Sequence, residues 1–268
     1  MGRTIARARA KNDLAVTEMI VTVWKFMGET PLIAMKRALK ERAIEDPRMC
    51  YTCRLDPMAQ GVFTVLTGED IHLAPVYNKM SKVYRFEAIL GLATDSYDGL
   101  GYVTDACFCS DGQAQSFVDA MRSLSGHKVA QQYPACSGYK YRGKPLWRHK
   151  KEGTLPYPLP SHDIEIYSVS TSLPEVISLK EYRKELFEDM ADMEPDVWNS
   201  FNTNNIVRAW NTMPDRPLIR VVVEAYVSSG TYVRSLVHDT AQSIGIHAHA
   251  FRITRLSCHD PTKIGSSY

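Results

Sequence analysis

Residues 21–26 read as a strand, and apolar and polar residues alternate over residues 83–90 and 220–227, where a period of two places successive side chains on opposite faces of a strand. A short apolar run at 61–66 predicts a further strand. Between the first two, Thr30 and Pro31 form an N-cap and first-turn proline that open a helix over 31–45. Its apolar stripe is Leu32, Met35 and Leu39, which leaves Lys36, Arg37, Lys40 and Arg42 elsewhere on its surface, either solvated or facing phosphate. Ser228, Ser229 and Gly230 mark a turn, and a helix follows over 231–244. Strands separated by helices, several of them short enough to pair as hairpins, predict an α+β fold with a mixed sheet and flanking helices.

The stretch SLKEYRKELFEDMADMEPDVW predicts an acidic amphipathic helix that ends near Pro195. Its acidic surface suits a solvated face or a protein contact and would repel nucleic-acid phosphate.

Composition narrows the class without choosing a function. With 268 residues, 44% of them hydrophobic, the chain can bury one large core or two modest ones. The net charge of +2 means that any nucleic-acid surface is a local patch. No apolar run approaches the ~20 residues of a membrane helix, so a soluble protein without a membrane partner is expected. Six scattered cysteines read as reduced thiols of an intracellular protein. Arg3, Arg7, Arg9 and Lys11 precede the first acid, Asp13, and make residues 1–20 either a loose basic arm or a mitochondrial presequence. The expected compartment is the cytoplasm under the first reading and the mitochondrion under the second.

The string YTCRLDPMAQGV (51–62) carries the chemistry. It sets one carboxylate, Asp56, on an Asp-Pro turn, which either closes a loop or presents an acid. An arginine beside such a carboxylate lowers its pKa by roughly 1–3 units and keeps it ionised for nucleophilic or base chemistry. Zinc is a weaker idea, because the Cys50–Cys53 and Cys107–Cys109 pairs straddle this turn and a loop and do not have the spacing of a four-ligand site. No HExxH arrangement occurs among the histidines. No metal and no cofactor are expected.

Three further segments, SKVYRFEAILGLATDSYDGLGYV (81–103), QQYPACSGYKYRGKPLWRHKKEG (131–153) and VEAYVSSGTYVRSLVHDTAQSIG (223–245), follow the Asp56 string in order. Together they resemble the ordered motifs of the TruB/dyskerin family of pseudouridine synthases, whose patterns read roughly GTLDPLATGVL, KxYxxxxxLGxxTDTxDxxG, QxPPxYSAxKxxGxxxYxxARxG and CSxGTYIRxLxxDLG. The resemblance runs from near Trp24, where WKFMGETP is similar to KPxGxTS, to about Leu256.

That resemblance implies a largely antiparallel sheet split by an RNA-binding cleft. It implies a monomeric isomerase that turns uridine into pseudouridine, most simply in the T-arm loop of tRNA. Asp56 would attack the nucleoside or take a proton from its sugar, Arg234 would aim it, and Tyr84 would stack on the flipped base and serve proton removal from carbon. Ile253, or Leu256 if the register slips, would pack on the uracil. Lys25 and Gly28 would support the site's floor, and Tyr139, Lys140, Arg142 and Lys144 would meet RNA by charge and stacking.

The chain also departs from the pattern. Residues 172–217 read as an insertion within a catalytic domain spanning 21–268, pointing away from the substrate or making a protein contact, and with about a dozen residues after Leu256 no PUA domain is expected. Tyr51 replaces a family histidine near the RNA loop, and Arg54 gives an RLD string like that of the RluA group, so both bear on substrate choice. Phe26 stands where the family has proline. The remaining alternatives are the same reaction on messenger, ribosomal or guide-selected RNA, or an RNA-binding or folding protein whose turnover is incidental.

Overall fold

The computed structural model describes residues 20–44 and 48–259. The basic arm and the last residues of the chain lie outside this range. Near the N-terminus are strand β1 (Ile20–Lys25), helix α1 (Pro31–Glu41), and strands β2 (Met49–Tyr51) and β3 (Gln60–Thr67). A 3-10 turn, Gly68–Leu73, leads to α2 (Ala74–Lys79) and the long β4 (Ser81–Leu90). The middle of the chain holds β5 (Leu92–Thr94), β6 (Val103–Ala106), α3 (Asp111–Ser123), β7 (His127–Gln132), the small β8 (Lys140–Tyr141) and β9 (Lys144–Pro145), α4 (Leu146–Lys151) and β10 (Ser161–Thr171). Then come β11 (Glu175–Ser178), α5 (Leu179–Ala191), α6 (Pro195–Ser200), α7 (Thr203–Asn211), β12 (Pro217–Val227), α8 (Val233–Ser243) and β13 (Ala248–His259).

One sheet organises the molecule in the order β1-β3-β13-β4-β12-β10-β7, with β2 on β3 and β11 on β12. Every pairing in it is antiparallel except the short β13–β3 contact. The expected α+β class and mostly antiparallel sheet are what the chain forms.

Strand alternation sends the two faces of the sheet into two cores. Tyr84, Phe86, Ala88 and Leu90 of β4 join Val221 and Val223 of β12 under α3 and α8, where Phe117, Met121, Leu236 and Val237 cover them. Ile89, between Ala88 and Leu90, points the other way and meets Tyr182, Leu186, Met190 and Trp210 of α5 and α7. A third cluster packs α1 on β1 and β3 through Ala34, Met35, Ala38 and Leu39.

Local rules explain the helix starts. Thr30 caps α1 by accepting the Ile33 amide, and Ser110 with Gln113, and Ser178 with Glu181, form capping boxes; each such cap stabilises by about 1 kcal/mol. Two expectations about α1 are corrected. Leu32 is exposed rather than buried, because the face against the sheet is set by the Ala34–Met35 and Ala38–Leu39 pairs. The helix also stops at Glu41, short of residue 45, because Ala43 has a φ of 52° and cannot continue it.

The acidic segment forms the expected amphipathic helix, α5, which stops at Ala191, short of Pro195. Leu179, Tyr182, Leu186 and Met190 are buried, while Glu181 and Glu188 stay exposed. Two of its acids, Glu185 and Asp189, face arginines of the sheet. Arg252 forms a fork on Asp189 and also reaches Glu185, both at 2.8 Å, and Arg220 donates to both oxygens of Glu185.

His249 shows how polar groups survive here. Its Nδ1 lies 3.0 Å from the Leu92 carbonyl, which can only accept, so Nδ1 carries the proton and Nε2 accepts from the Tyr182 hydroxyl at 2.7 Å. Burial pushes its pKa down from 6.5 to about 4. The unfolded chain therefore binds more protons between those values, and the stability this group contributes is complete above pH 6.5 and lost as pH falls through 4. The expected loss is on the order of 3 kcal/mol, read as the difference in urea stability between pH 7.5 and 4. A pH slope unchanged in His249→Gln would refute this assignment. Trp210, fully buried and donating to the Gly101 carbonyl, tests the second core: Trp210→Ala should cost about 3–5 kcal/mol by the same measurement.

Candidate active site

Asp56 sits on a turn closed by the Ala59 amide donating to the Asp56 carbonyl at 3.0 Å. The turn is gripped from behind by Lys25, a fully buried residue of β1. Its Nζ donates to the carbonyls of Phe26, Pro57 and Ala59 at 3.0, 3.1 and 2.6 Å, one acceptor for each N–H of an ammonium. Burial pushes the Lys25 pKa down to about 7, with Glu29 and Asp56 pulling it back up. Gly28 adds its amide to the Pro57 carbonyl at 2.9 Å. It has a φ of 80°, and a Cβ there would lie 2.6 Å from the Met193 Cα, so only glycine fits.

Arg234 lies in the first turn of α8, with its side chain 3% exposed against 40% for Asp56. Its Nε donates to Asp56 Oδ2 at 2.8 Å and lies 3.6 Å from Asp98 Oδ2, and Nη1 donates to the Ser96 carbonyl at 2.6 Å. Burial works against this cation, but Asp56 and then Asp98 outweigh it and hold its pKa above the ordinary range. Asp98 is itself buried, which pushes its pKa up, while Arg234 pulls it back. Ser96 Oγ and the Leu100 amide both donate to its Oδ1, at 2.6 and 3.0 Å. One guanidinium therefore serves a buried carboxylate that fixes it and an exposed one that it aims.

The start of α8 is positioned by Gln131, which is buried on β7. Its Oε1 accepts the Tyr232 amide at 2.8 Å and its Nε2 donates to the Tyr232 carbonyl at 3.0 Å.

The Asp56 carboxylate opens into a cleft of about 320 Å³ lined by Arg54, Tyr84, Tyr139, Tyr232, Ile253 and Arg255 among others. Tyr84 is nearly buried on β4, and burial pushes its phenol pKa up although Arg255 opposes this. Arg255 is 1% exposed. It donates to the carbonyls of Val62 and Cys53 at 2.7 Å, and its Nη1 lies 3.4 Å from both the Arg54 carbonyl and the Tyr84 hydroxyl. Gly61 makes this approach feasible, since a Cβ there would stand 2.1 Å from the Arg255 carbonyl oxygen. On the opposite side Tyr139 stacks on Tyr133 at 3.8 Å, and Tyr133 stacks on His162 at 4.2 Å.

The sequence-predicted residues fall into two groups. Asp56, Tyr84, Arg234, Ile253, Arg54 and Tyr139 meet in the cleft, with Lys25 and Gly28 directly behind its turn. Leu256 is 40% exposed and outside the cleft lining, because the β13 bulges between Phe251 and Thr254 and between Arg255 and Ser257 send Ile253 and Arg255 inward. Tyr51 packs edge-on against Phe63 under α1 and does not reach the cleft. Lys140 is exposed on the β8–β9 hairpin beside Arg142, whose guanidinium lies over the Tyr141 ring, and Lys144 pairs with Glu152.

Arg255, Asp98, Gln131 and Tyr232 were not singled out from the sequence. Asp98 and Tyr232 lie inside the quoted TDSYDG and GTYVR strings, and Arg255 is two residues beyond Ile253, so their neighbours carried the signal. Among the described residues no group of three or more metal-ligating side chains converges, and no helix is long and apolar enough to cross a membrane.

Comparison with known proteins places this geometry in context. The family model described as TruB family pseudouridylate synthase (N terminal domain) matches residues 36–180, just over half of the chain. A tRNA pseudouridine synthase B of Geobacter sulfurreducens is 30% identical over 207 residues, covering 77% of this chain and 54% of that protein. The protein of the same name from Lactobacillus delbrueckii subsp. bulgaricus is 25% identical over 240 residues, covering 88% of this chain and 66% of its own length. The chain thus spans between half and two thirds of these relatives. The crystal structure of a Cbf5-Nop10-Gar1 complex aligns at 15% identity with a TM-score of 0.46, over 89% of this chain and 48% of that one. From the extent of the family match, the chain belongs to the TruB family of pseudouridylate synthases.

Proposed function

We propose that the protein isomerises uridine to pseudouridine in RNA, with the T-arm loop of tRNA as its substrate and Asp56 as the reacting carboxylate. The observation that carries the reading is the Asp56–Arg234 pair, an acid held at 2.8 Å by a buried cation in an open cleft floored by Tyr84 and Ile253. Relatives named tRNA pseudouridine synthase B support tRNA as the substrate class.

The reaction detaches the base at nitrogen, turns it and rejoins it through carbon, so the base must leave its stack and be held meanwhile. Ile253 and the Tyr84 ring offer an apolar slot for it beside Asp56. Asp56 either attacks the nucleoside or takes a proton from its sugar, and under both routes it must be ionised and aimed, which Arg234 does at no reorganisation cost. Tyr84 is a neutral phenol in the resting site, so its first role is stacking. It accepts the carbon-bound proton only after losing its own, for which Arg255 is the stabilising neighbour. All these groups come from one copy of the chain, which suits a monomeric enzyme.

The test uses an unmodified tRNA transcript tritiated at uridine carbon five, with tritium release to water as readout. Wild type should release it, and Asp56→Asn should fall to background while still binding the transcript. Absence of release by the wild type from tRNA, messenger and ribosomal transcripts alike would overturn the reading. Arg234→Lys keeps a charge near Asp98 and loses the planar fork, so kcat should drop about 10²–10³-fold with KM little changed. Tyr84→Phe keeps the ring and should bind normally, with its loss confined to the proton-removal step.

A further inference from the structure

Two of the chain's departures from the family pattern meet in space. In the pattern QxPPxYSAxKxxGxxxYxxARxG the first tyrosine falls on Cys136 and the last alanine on Lys150. Lys150 Nζ lies 3.2 Å from Cys136 Sγ, so the side chain that is longer than the pattern reaches the one that is shorter. The helix that carries Lys150, α4, is anchored to the Tyr139 side of the cleft. Leu146 is fully buried, the Leu146 and Trp147 amides donate to the Tyr139 and Ser137 carbonyls at 2.9 and 3.2 Å, and His149 bridges the Tyr141 carbonyl and the Thr154 hydroxyl.

The Lys150 ammonium has three N–H donors and three acceptors, the Asp95 carbonyl at 2.9 Å, Asp95 Oδ2 at 2.7 Å and the Cys136 sulfur. We propose that Lys150 is a positioning residue of the active site, which holds Asp95, and with it the Ser96 carbonyl, where that carbonyl fixes Arg234 in line with Asp56. The path is short. Asp95 precedes Ser96, the Ser96 carbonyl accepts Arg234 Nη1 at 2.6 Å, and Arg234 Nε donates to Asp56 at 2.8 Å. For its kinetic effect the inference rests on the proposed reaction, and for its geometry it does not.

The other sides of Asp95 are already taken. Its amide donates to the Tyr102 carbonyl at 3.0 Å, and its Oδ1 accepts the Tyr102 amide at 2.9 Å. Gly101 closes the loop from beneath, since a Cβ there would stand 2.7 Å from Asp95 Oδ1 and 2.4 Å from Ser96 Oγ. Lys150 is the one cation paired with Asp95 among the described residues. Cys136 cannot stand in for it, because a thiol is a weak donor and its sulfur is 3.7 Å from the Asp95 carbonyl. The Lys150 and Asp95 side chains are 29% and 31% exposed, so the pair adds little to overall stability and acts instead on where the 95–98 loop sits. A tyrosine at position 136, as in the pattern, brings a hydroxyl donor to the same spot, so the two positions exchange as a pair and not singly.

Tritium release from the tRNA transcript would be compared for wild type, Lys150→Met, and Cys136→Tyr combined with Lys150→Ala. Lys150→Met keeps the stem and loses the charge, so kcat should fall at least about tenfold, with KM and the urea midpoint little changed. The double variant should recover most of that kcat, a non-additivity that independent sites do not show. In the free protein, hydrogen exchange at Arg234 Nε, read by NMR and assigned through Arg234→Lys, should be faster in Lys150→Met and return toward the wild-type rate in the double variant. That measurement needs no turnover, so a wild type that releases no tritium ends the proposed reaction and leaves the positioning role to be decided by the exchange rate. Unchanged kcat, a loss carried by KM alone, a loss matched by a lower urea midpoint, or unchanged Arg234 exchange would overturn the proposal. A double variant no better than Lys150→Met would overturn the pairing of the two positions.

Discussion

A buried guanidinium between two carboxylates sets the terms for everything around it. Arg234 cannot be desolvated alone, because an uncompensated buried charge costs several kcal/mol, and breaking such a pair typically costs 3–5 kcal/mol. Asp98 supplies the first compensation from a loop tied by Ser96 and the Leu100 amide, and Asp56 supplies the second from across the cleft. Folding the cation into place thus brings together the Asp56 turn, the 94–100 loop and α8. The apolar packing of Leu236 and Val237 on β4 and β12 drives α8 onto the sheet, while the charge pairing decides where its first turn points.

The far face of the sheet is bound to the same site by a different route. Helix α5 carries Glu185 and Asp189, and these hold Arg252, which has a φ of 44° at the β13 bulge. The residue after it is Ile253, which lines the cleft on the opposite face. An acidic helix that would repel phosphate if it faced RNA lies where the sheet shields it. There it neutralises arginines and fixes the strand that presents the cleft's apolar wall. The segment thus contributes to the second core, and Glu185 and Asp189, the acids that face the sheet, are met by arginines while the other acids of α5 face outward.

Sequence reading reached the strands with period two and the capped helix starts, because their causes are local. It also reached Asp56, Tyr84, Arg234 and Ile253 as cleft neighbours through ordered motifs. Leu32 faces outward, and Tyr51 and Leu256 fall outside the cleft lining, because a residue's facing depends on what packs against it. The double alanine face of α1 turned Leu32 outward, and two bulges in β13 reset the strand's alternation beyond Phe251. Asp98, Gln131 and Arg255 escaped attention because each acts through a backbone carbonyl, an amide or another side chain brought close only by the tertiary fold. No periodicity records such a contact.

The two walls of the cleft differ in stiffness. On one side Arg255 spans the Cys53, Arg54 and Val62 carbonyls and the Tyr84 hydroxyl, so the loop, β3 and β4 form a single hydrogen-bonded block. On the other side Tyr139 belongs to a segment whose hairpin, β8–β9, is a separate two-stranded sheet, stacked on Tyr133 and tethered through Lys150 to Asp95. Stacked rings slide and a partly exposed ion pair exchanges with water at little cost, whereas four bonds to one guanidinium must break together. Any change in the width of the cleft is therefore easiest at the tyrosine wall, while the wall that carries the acid is held at one geometry.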